Sequence, residues 1–171
     1  MMFEKDDIVL YGTHGVCRVQ GQTAKDFAGM KKDYYVLQPV FEEASVVYVP
    51  ADSPKLTAKM HHVATKEETL RGLSAVPKEG EAWIEDEPRR REVFRATLEE
   101  GNRRKLIQMV QSLLLHQKKQ QAKGRRLHIS DEQFLRDAEK IIEDEIAYVL
   151  AIKREEVVPF IRQQLDAAAG E

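Results

Sequence analysis

The period of the hydrophobic pattern changes once along the chain, near Thr65, and this change limits the possible folds more than any other feature. Before Thr65, short runs rich in valine and tyrosine alternate with turn residues, as in an antiparallel sheet. After Thr65, apolar residues recur at steps of three and four, as on one face of a helix. The sequence therefore predicts an α+β chain, with a small antiparallel β-barrel or sandwich followed by an all-α helical bundle.

Capping and turn signals divide the chain further. Thr65 and Glu68 have the spacing of a capping box and open a short helix. A linker with the turn residues Pro77 and Gly80 follows this helix. The expected parts are a β-domain, a short helix with its linker, and a helical domain, over residues 1–64, 65–87 and 88–171.

Start signals predict four helices in the C-terminal half. Pro88 suits the first turn of the first helix, and Asn102 can cap the second. Ser130 and Gln133 have capping-box spacing for the third. The fourth helix covers residues from about 153 to 169, where the helical period continues.

Composition favours a soluble cytoplasmic protein. The chain has a charged fraction of 33%, and its N-terminus lacks the apolar core of a signal peptide. No apolar run is long enough to span a bilayer, so we expect no membrane partner. The single cysteine, Cys17, excludes an internal disulfide and fits a reducing compartment; within a strand it is expected to be a small buried residue.

The sequence lacks the motifs that carry common enzyme chemistry. It has no phosphate-binding loop, dinucleotide fingerprint, nucleophile elbow or Cys-x-x-Cys pair. His14, Cys17, His61 and His62 do not have the spacing of a structural zinc site. We therefore expect a non-enzymatic protein without catalytic residues, metal, cofactor or small-molecule substrate.

Positive and negative charges are separated along the helical half. Residues 101–130 contain eight basic residues and no acidic one, whereas residues 131–171 carry eleven acidic residues against five basic ones. Such a basic stretch can contact phosphates. It can also be a solvated helix face whose charges pair with the acidic helix that follows. The charge pattern alone leaves both interpretations open.

Spaced residues in the first 50 positions form a recognisable set of motifs. In order, they are Phe3, Asp7, Val9, Tyr11, His14, Gly15 and Val16, then Tyr34, Val36 and Leu37, then Val47, Tyr48, Val49 and Pro50. These motifs resemble the CarD/CdnL family of bacterial transcription regulators. The same N-terminal module occurs in transcription-repair coupling factors, and the layout of the helical half is also similar to that of the family.

The resemblance implies a Tudor/SH3-like β-barrel that pairs an exposed strand edge with the RNA polymerase β subunit. Family members flank this contact with basic side chains. Lys25 lies at one such position, with Lys31 and Lys32 nearby. Tyr48 stands where the family has an arginine, so it retains a large contact residue without the charge. Alternatively, Tyr48 packs in the barrel.

For the helical half, the resemblance implies that Trp83 acts as a wedge at the upstream edge of the transcription bubble. Basic neighbours would contact phosphates without reading sequence. An acidic spacer, residues 84–88, separates the tryptophan from them, unlike in the family. Alternatively, Trp83 packs the linker against the bundle. The candidate phosphate contacts are Arg89, Arg90, Arg91, Arg103, Arg104, Lys118, Lys119, Lys123, Arg125 and Arg126.

These features predict a transcription regulator that binds the polymerase β subunit and touches promoter DNA without sequence specificity. It would alter the stability of the open complex and associate with the nucleoid through the polymerase. Two alternatives remain. One is a protein–protein adaptor on the polymerase that never contacts DNA. The other is an RNA- or ribosome-associated small barrel, which predicts aromatic residues grouped on one face of the barrel.

Overall fold

The chain forms two compact units, Met1–Ala64 and Thr65–Glu171. The computed structural model describes residues 2–75 and 83–169, so Pro77 and Gly80 of the predicted linker lie outside the described residues. The first unit is built mainly of strands and the second of helices, which makes the chain α+β.

The first unit is an antiparallel sheet of five strands in the order β4-β3-β2-β1-β5. A short helix, α1, connects the two edge strands in sequence. The elements in chain order are β1 (Ile8–Tyr11), β2 (Val16–Phe27), β3 (Met30–Pro39), β4 (Val47–Pro50), α1 (Pro54–Thr57) and β5 (Met60–His62).

Every strand of the sheet contributes to one apolar core. Side chains alternate between the two faces of a strand, so a valine or leucine at every second position reaches the same core. Cys17 is fully buried there, as expected for a small apolar residue. The buried members are Phe3, Val9, Cys17, Val19, Tyr35, Leu37, Val49 and Met60.

The expected closed barrel is an open sheet. Within residues 2–75, β4 pairs only with β3 and β5 pairs only with β1. These edge strands are short, with four and three residues. The outer edge of β4 therefore keeps backbone donors and acceptors without a partner strand in the described part of the chain.

The two longest strands, β2 and β3, form a hairpin that ends in a tight turn. Ala28 and Gly29 both have positive φ angles, 54° and 79°. This pattern is that of a two-residue primed turn, whose twist matches the strands that it joins. The turn places Phe27 and Met30 directly opposite each other at the tip of the hairpin.

The part of the second unit that the structure describes, residues 65–75 and 83–169, contains five helices that bury apolar side chains against one another. Helix α4 packs against α5, and α5 against α6, while α3 contacts both α4 and α5. Helix α2 contacts α4, α5 and α6, so it belongs to this unit. None of the helices in residues 2–75 and 83–169 has the length and apolar character needed to cross a membrane. The helices are α2 (Lys66–Ser74), α3 (Glu87–Glu100), α4 (Arg103–Ala122), α5 (Ile129–Leu150) and α6 (Arg154–Ala169).

Two of the predicted helix caps are confirmed and one is wrong. Thr65 opens α2 with both hydrogen bonds of the capping box, and the Asn102 side chain accepts from the backbone of Lys105 at the start of α4. The box expected at Ser130 does not form, because α5 begins two residues earlier than a cap at Ser130 requires, and His128 is its N-cap. Ser130 then lies inside the first turn, and its hydroxyl has no hydrogen-bond partner among the described residues.

We predict that Glu139→Gln on α5 stabilises the fold at neutral pH. Burial raises the pKa of Glu139, and Glu143 on the next turn raises it further, against smaller opposing effects of Arg162 and Arg136. When folding raises the pKa of a carboxyl, the charged form is less favourable in the folded than in the unfolded chain. The free energy of unfolding then falls as the pH rises from the ordinary pKa of the carboxyl towards its pKa in the folded state. The substitution should add about 0.3–0.5 kcal/mol to the free energy of unfolding at neutral pH and nothing at about pH 3, where both forms are uncharged.

Urea unfolding at both pH values measures this difference. Glu92→Gln, on an exposed position of α3, serves as the control and should bring no gain at either pH. A Glu139→Gln variant that is no more stable than the original chain at neutral pH would contradict the assignment of an unfavourable charge to this carboxylate.

Candidate functional site

The outer surface of the β2–β3–β4 sheet carries three aromatic rings in contact. Phe27 and Tyr34 meet edge to face with centroids 5.5 Å apart, and Tyr34 and Tyr48 do so at 6.5 Å. The ammonium group of Lys25 lies 3.7 Å from the centroid of the Tyr48 ring. We call Lys25, Phe27, Tyr34 and Tyr48 the aromatic face. It arises because alternate residues of adjacent strands project from the same side of a sheet.

The aromatic face leaves unusually much apolar surface in water. Phe27 is 52% exposed, Met30 beside it is 61% exposed, and Tyr48 is 38% exposed. A cation over an aromatic ring at an exposed site contributes only about 0.5–1 kcal/mol, so this arrangement does not replace burial. Tyr48 is thus a surface residue of the edge strand β4, and its ring does not pack in the core of the first unit.

The two other lysines expected at the polymerase contact lie on opposite sides of the hairpin. Lys32 faces Lys25 across the strands, and its ammonium group lies 3.7 Å from the Asp52 carboxylate. Lys31 is paired with Asp26 in the register, one position further, and so projects from the other side. Lys25, Lys32 and Tyr48 therefore share one surface, whereas Lys31 does not.

One end of the helical unit collects basic residues from separate parts of the sequence. The start of α3 meets the loop between α4 and α5, since the Glu87 carboxylate lies 3.8 Å from the His128 ring. This contact brings together two segments that each carry basic residues, the start of α3 and the region from the end of α4 to the following loop. We call the basic residues of these two segments the basic end; they are Arg89, Arg91, Lys119, Lys123, Arg125 and Arg126.

Trp83 is half-buried in the helical unit beside the basic end. Its indole stacks on His116 with centroids 3.7 Å apart and contacts the edge of Phe94 at 6.3 Å. The guanidinium of Arg90 lies 4.7 Å from the same indole. Burial lowers the pKa of His116, and the positive charge of Arg90 lowers it further. Both effects favour the neutral form of the imidazole that stacks on the indole. In this structure, Trp83 therefore packs the segment before α3 against the helical unit, which is the alternative to the wedge.

Arg90 was expected among the DNA contacts, but the structure gives it an internal role. Its side chain is buried, with 4% of the residue exposed. The guanidinium donates two hydrogen bonds to the Asp131 carboxylate, at 3.0 and 2.9 Å, and others to the carbonyls of Ile84 and Glu85 at 2.9 and 3.4 Å. Four of its five N–H donors are used within the unit, and the group is buried, so in this fold it does not face a phosphate.

Some basic residues of α4 pair with the acidic helices that follow. Arg103 donates to the Glu145 carboxylate at 2.8 Å, and Lys118 to that of Asp166 at 2.7 Å. Arg104, beside Arg103 at the start of α4, is exposed but lies about 24 Å along the helix from the basic end. For Arg103 and Lys118, the second interpretation of the charge pattern therefore holds, in which basic residues pair with the acidic helices. Arg104 is not part of the basic end.

Most members of the basic end have no such partner. Arg91 pairs with Glu87 at 2.6 Å, and this hydrogen bond lowers the pKa of the Glu87 carboxyl. For the others, no carboxylate in the described part of the chain lies within 4.0 Å of the charged group. These others are Arg89, Lys119, Lys123, Arg125 and Arg126.

The described residues contain no cluster of three or more histidine, cysteine or carboxylate side chains that could hold a metal ion.

The sequence analysis did not predict the exposed apolar surface to which Phe27, Met30 and Tyr34 belong. The signal was available in the alternation of Lys25 with Phe27, ending at the Ala28-Gly29 turn. Without the pairing register, however, nothing indicated that Tyr34 projects on the same side.

An open sheet with an unpaired edge and an exposed aromatic face is typical of a protein-interaction domain. Residues 3–64, about a third of the chain, match the family model of the CarD-like/TRCF RID domain, and the N-terminal unit is similar to that domain over almost its whole length. The motifs of the first 50 residues were therefore correctly recognised, and the match supports a role in association with RNA polymerase. Among the curated proteins, none matches the chain.

We predict that Arg90→Ala and Asp131→Ala each lower the free energy of unfolding by about 3–5 kcal/mol, because each leaves the other charge buried and unpaired. Urea unfolding followed by circular dichroism measures the loss. Arg89→Ala, one residue away but exposed, is the matched control and should change stability by less than about 0.5 kcal/mol. Similar stabilities for Arg89→Ala and Arg90→Ala would contradict the internal role of Arg90.

Proposed function

We propose that this protein is a non-enzymatic regulator of bacterial transcription. Its N-terminal unit binds the β subunit of RNA polymerase, and its helical unit contacts promoter DNA through the basic end. The observation that carries the proposal is the match of residues 3–64 to the CarD-like/TRCF RID domain. Its place of action is then the cytoplasm, at the nucleoid, with the polymerase.

The β4 edge and the aromatic face support the polymerase half of the proposal. A partner strand added to β4 would satisfy the outer backbone groups of that strand and extend the sheet. Tyr48 and Lys25 would then lie beside the added strand, with Phe27 and Tyr34 next to them. Burying these rings against the partner removes apolar surface from water, which the folded unit by itself leaves exposed.

The basic end supports the DNA half. Long cationic side chains without internal partners bind phosphates by charge, and such contacts carry no sequence information. Arg125 and Arg126 lie in the loop after α4, and Lys119 and Lys123 lie one turn apart near the end of that helix. We therefore propose binding to the backbone near the upstream edge of the transcription bubble, independent of the base sequence.

Two weak contacts on one complex suffice for regulation. Docking on the polymerase raises the effective concentration of the basic end at the promoter, and such linkage strengthens overall binding by roughly 10²–10⁴-fold. A protein can shift the equilibrium between closed and open promoter DNA only if it binds the two states with different affinity. Preferential contact with the open form would stabilise the open complex.

A protein–protein adaptor is the second candidate, and one observation favours it. Trp83, Arg90, Arg103 and Lys118 are engaged within the helical unit, so fewer groups are available to DNA than the sequence indicated. RNA binding by the first unit is a third candidate, because Phe27, Tyr34 and Tyr48 share one face. Tyr35, in contrast, lies in the core. Binding to polymerase, to DNA and to RNA separates these candidates.

We predict that the double variant Lys25→Glu/Tyr48→Ala binds the isolated polymerase β subunit roughly tenfold more weakly, because it removes a ring and reverses a charge at the contact. Fluorescence anisotropy of the labelled full chain measures the affinity. Lys59→Glu, an exposed lysine elsewhere in the unit, is the control and should bind normally. Unchanged binding of the double variant would exclude this docking surface, and loss of affinity for single-stranded RNA instead would favour the RNA candidate.

We predict that the triple variant Lys123→Ala/Arg125→Ala/Arg126→Ala weakens DNA binding equally for different sequences. The slope of log affinity against log salt concentration should fall by about one for each phosphate that the variant no longer neutralises. Arg104→Ala, at the other end of α4, is the control and should leave the slope unchanged. Binding to promoter DNA is measured both with and without polymerase. If the unaltered chain binds no better than the triple variant in either case, the adaptor function replaces the DNA half of the proposal.

A further inference from the structure

Strand β2 is much longer than the strand that covers its outer side. β1 pairs only with Val16–Arg18, whereas β2 continues to Phe27. The backbone of Val19 still bonds to the segment before β1. Beyond it, Gly21–Phe27 pairs with β3 on one side, and no strand in the described part of the chain pairs with the other side. We call this outer side of Gly21–Phe27 the open edge.

The end of the hairpin that carries the open edge is only two strands wide. β4 pairs with β3 from Tyr34 onwards, so Met30–Lys32 has no partner strand among the described residues on its outer side. Phe27 and Met30 at the tip are 52% and 61% exposed. A two-stranded ribbon is marginally stable in water, and a further strand stabilises it. The open edge is therefore the place where an added strand would bring the most support.

The open edge lacks the usual protection against pairing with another chain. Edge strands that stay single commonly carry a proline or an outward lysine. Gly21–Phe27 has no proline, and its one lysine, Lys25, directs its ammonium group over the Tyr48 ring, 3.7 Å from the centroid. The backbone of the open edge is thus accessible to a partner strand.

The backbone groups of alternate residues point towards the open side. Residues that flank a two-residue turn exchange hydrogen bonds with each other, and such bonded pairs recur at every second position. Phe27 and Met30 flank the turn, and the register from this pair to Gln22 is regular. Gln22, Ala24 and Asp26 therefore direct their N–H and C=O groups away from β3, and all three residues are exposed.

We propose that the open edge pairs with the open edge of a second copy of this chain, antiparallel and centred on Ala24. Ala24 is the midpoint of Gly21–Phe27, so this register uses the whole open edge. Ala24 then faces Ala24 of the second copy, and Gln22 faces Asp26. These facing residues all have outward backbone groups, and together they form about six hydrogen bonds.

The side chains of the open edge complement one another in this register. Lys25 faces Thr23 of the second copy, so no like charges lie opposite each other. Phe27 faces Gly21, and an aromatic ring opposite a glycine covers backbone that has no side chain of its own. A Cβ placed on Gly21 would meet no atom within 4 Å, so the space for the ring is open.

Neighbouring registers are less favourable. A register centred on Lys25 places the two lysines directly opposite each other, which is destabilising. A register centred on Thr23 places Phe27 opposite Val19, whose backbone N–H and C=O groups are already bonded to Asp7 and Asp6. A two-fold contact uses the same surface on both copies, so the assembly ends at two chains.

The test measures the mass of the full chain by analytical ultracentrifugation, without polymerase or DNA. We expect the mass to rise from one chain to two chains, with half of the change at roughly 10–100 µM, as for a small interface. Thr23→Lys should raise the dissociation constant roughly tenfold, because it places a lysine opposite Lys25 of the other copy, twice in a two-fold dimer.

A charge reversal tests the register itself. Thr23→Lys/Lys25→Glu places opposite charges where the single variant has like charges, so its dissociation constant should return to within roughly threefold of that of the unaltered chain. Ala44→Lys, which adds the same charge at an exposed turn between β3 and β4, is the matched control and should dimerise normally. Circular dichroism establishes that each variant is folded.

The inference fails if the unaltered chain stays a monomer up to roughly 0.5 mM, or if its mass passes beyond two chains. It also fails if Thr23→Lys dimerises as well as the unaltered chain, since the contact then lies elsewhere. A charge reversal that restores nothing would rule out the register centred on Ala24. None of these results bears on the polymerase and DNA contacts of the proposed function, because neither partner is present in the test.

Discussion

The buried ion pair between Arg90 and Asp131 is the contact on which the arrangement of the basic end depends. It holds the start of α3 on the start of α5, and the same guanidinium binds the backbone of the segment before α3. Removing two charges from water costs several kcal/mol each, which only close pairing and full hydrogen bonding offset. Because of this constraint, the start of α3 lies beside the α4–α5 loop, and Trp83 lies against His116.

Residues of the same type have opposite roles in this unit, and the difference is one of position. Arg90 and Arg103 point into the helix packing and meet carboxylates of α5, whereas Arg125 and Arg126 lie in a loop that no acidic helix covers. A helix turns once every 3.6 residues, so neighbours in a basic run face different directions. A basic stretch in a sequence is therefore a mixture of internal partners and external contacts.

In the first unit, too, some features could be predicted from the sequence and others depended on the pairing of the strands. The motifs of the first 50 residues identified the domain, and the structure places Tyr48 on the surface of the edge strand β4. The expected closure of the sheet was wrong, because it depends on whether the distant strands β4 and β5 pair with each other, and no local pattern in the sequence indicates that pairing. Phe27 and Tyr34 were missed because their common face depends on the pairing register of β2 and β3.

The sequence by itself determined the α+β organisation, the change of period near Thr65, the caps at Thr65 and Asn102 and the family of residues 3–64, because these depend on local spacing. Only the tertiary structure decided which charges are available. Asp131, the partner of Arg90, lies 41 residues away in the chain, and no local pattern links them. Strand pairing likewise decides that one side of Gly21–Phe27 has no partner strand in the described part of the chain, since that depends on how far β1 extends along β2 and not on neighbours in sequence.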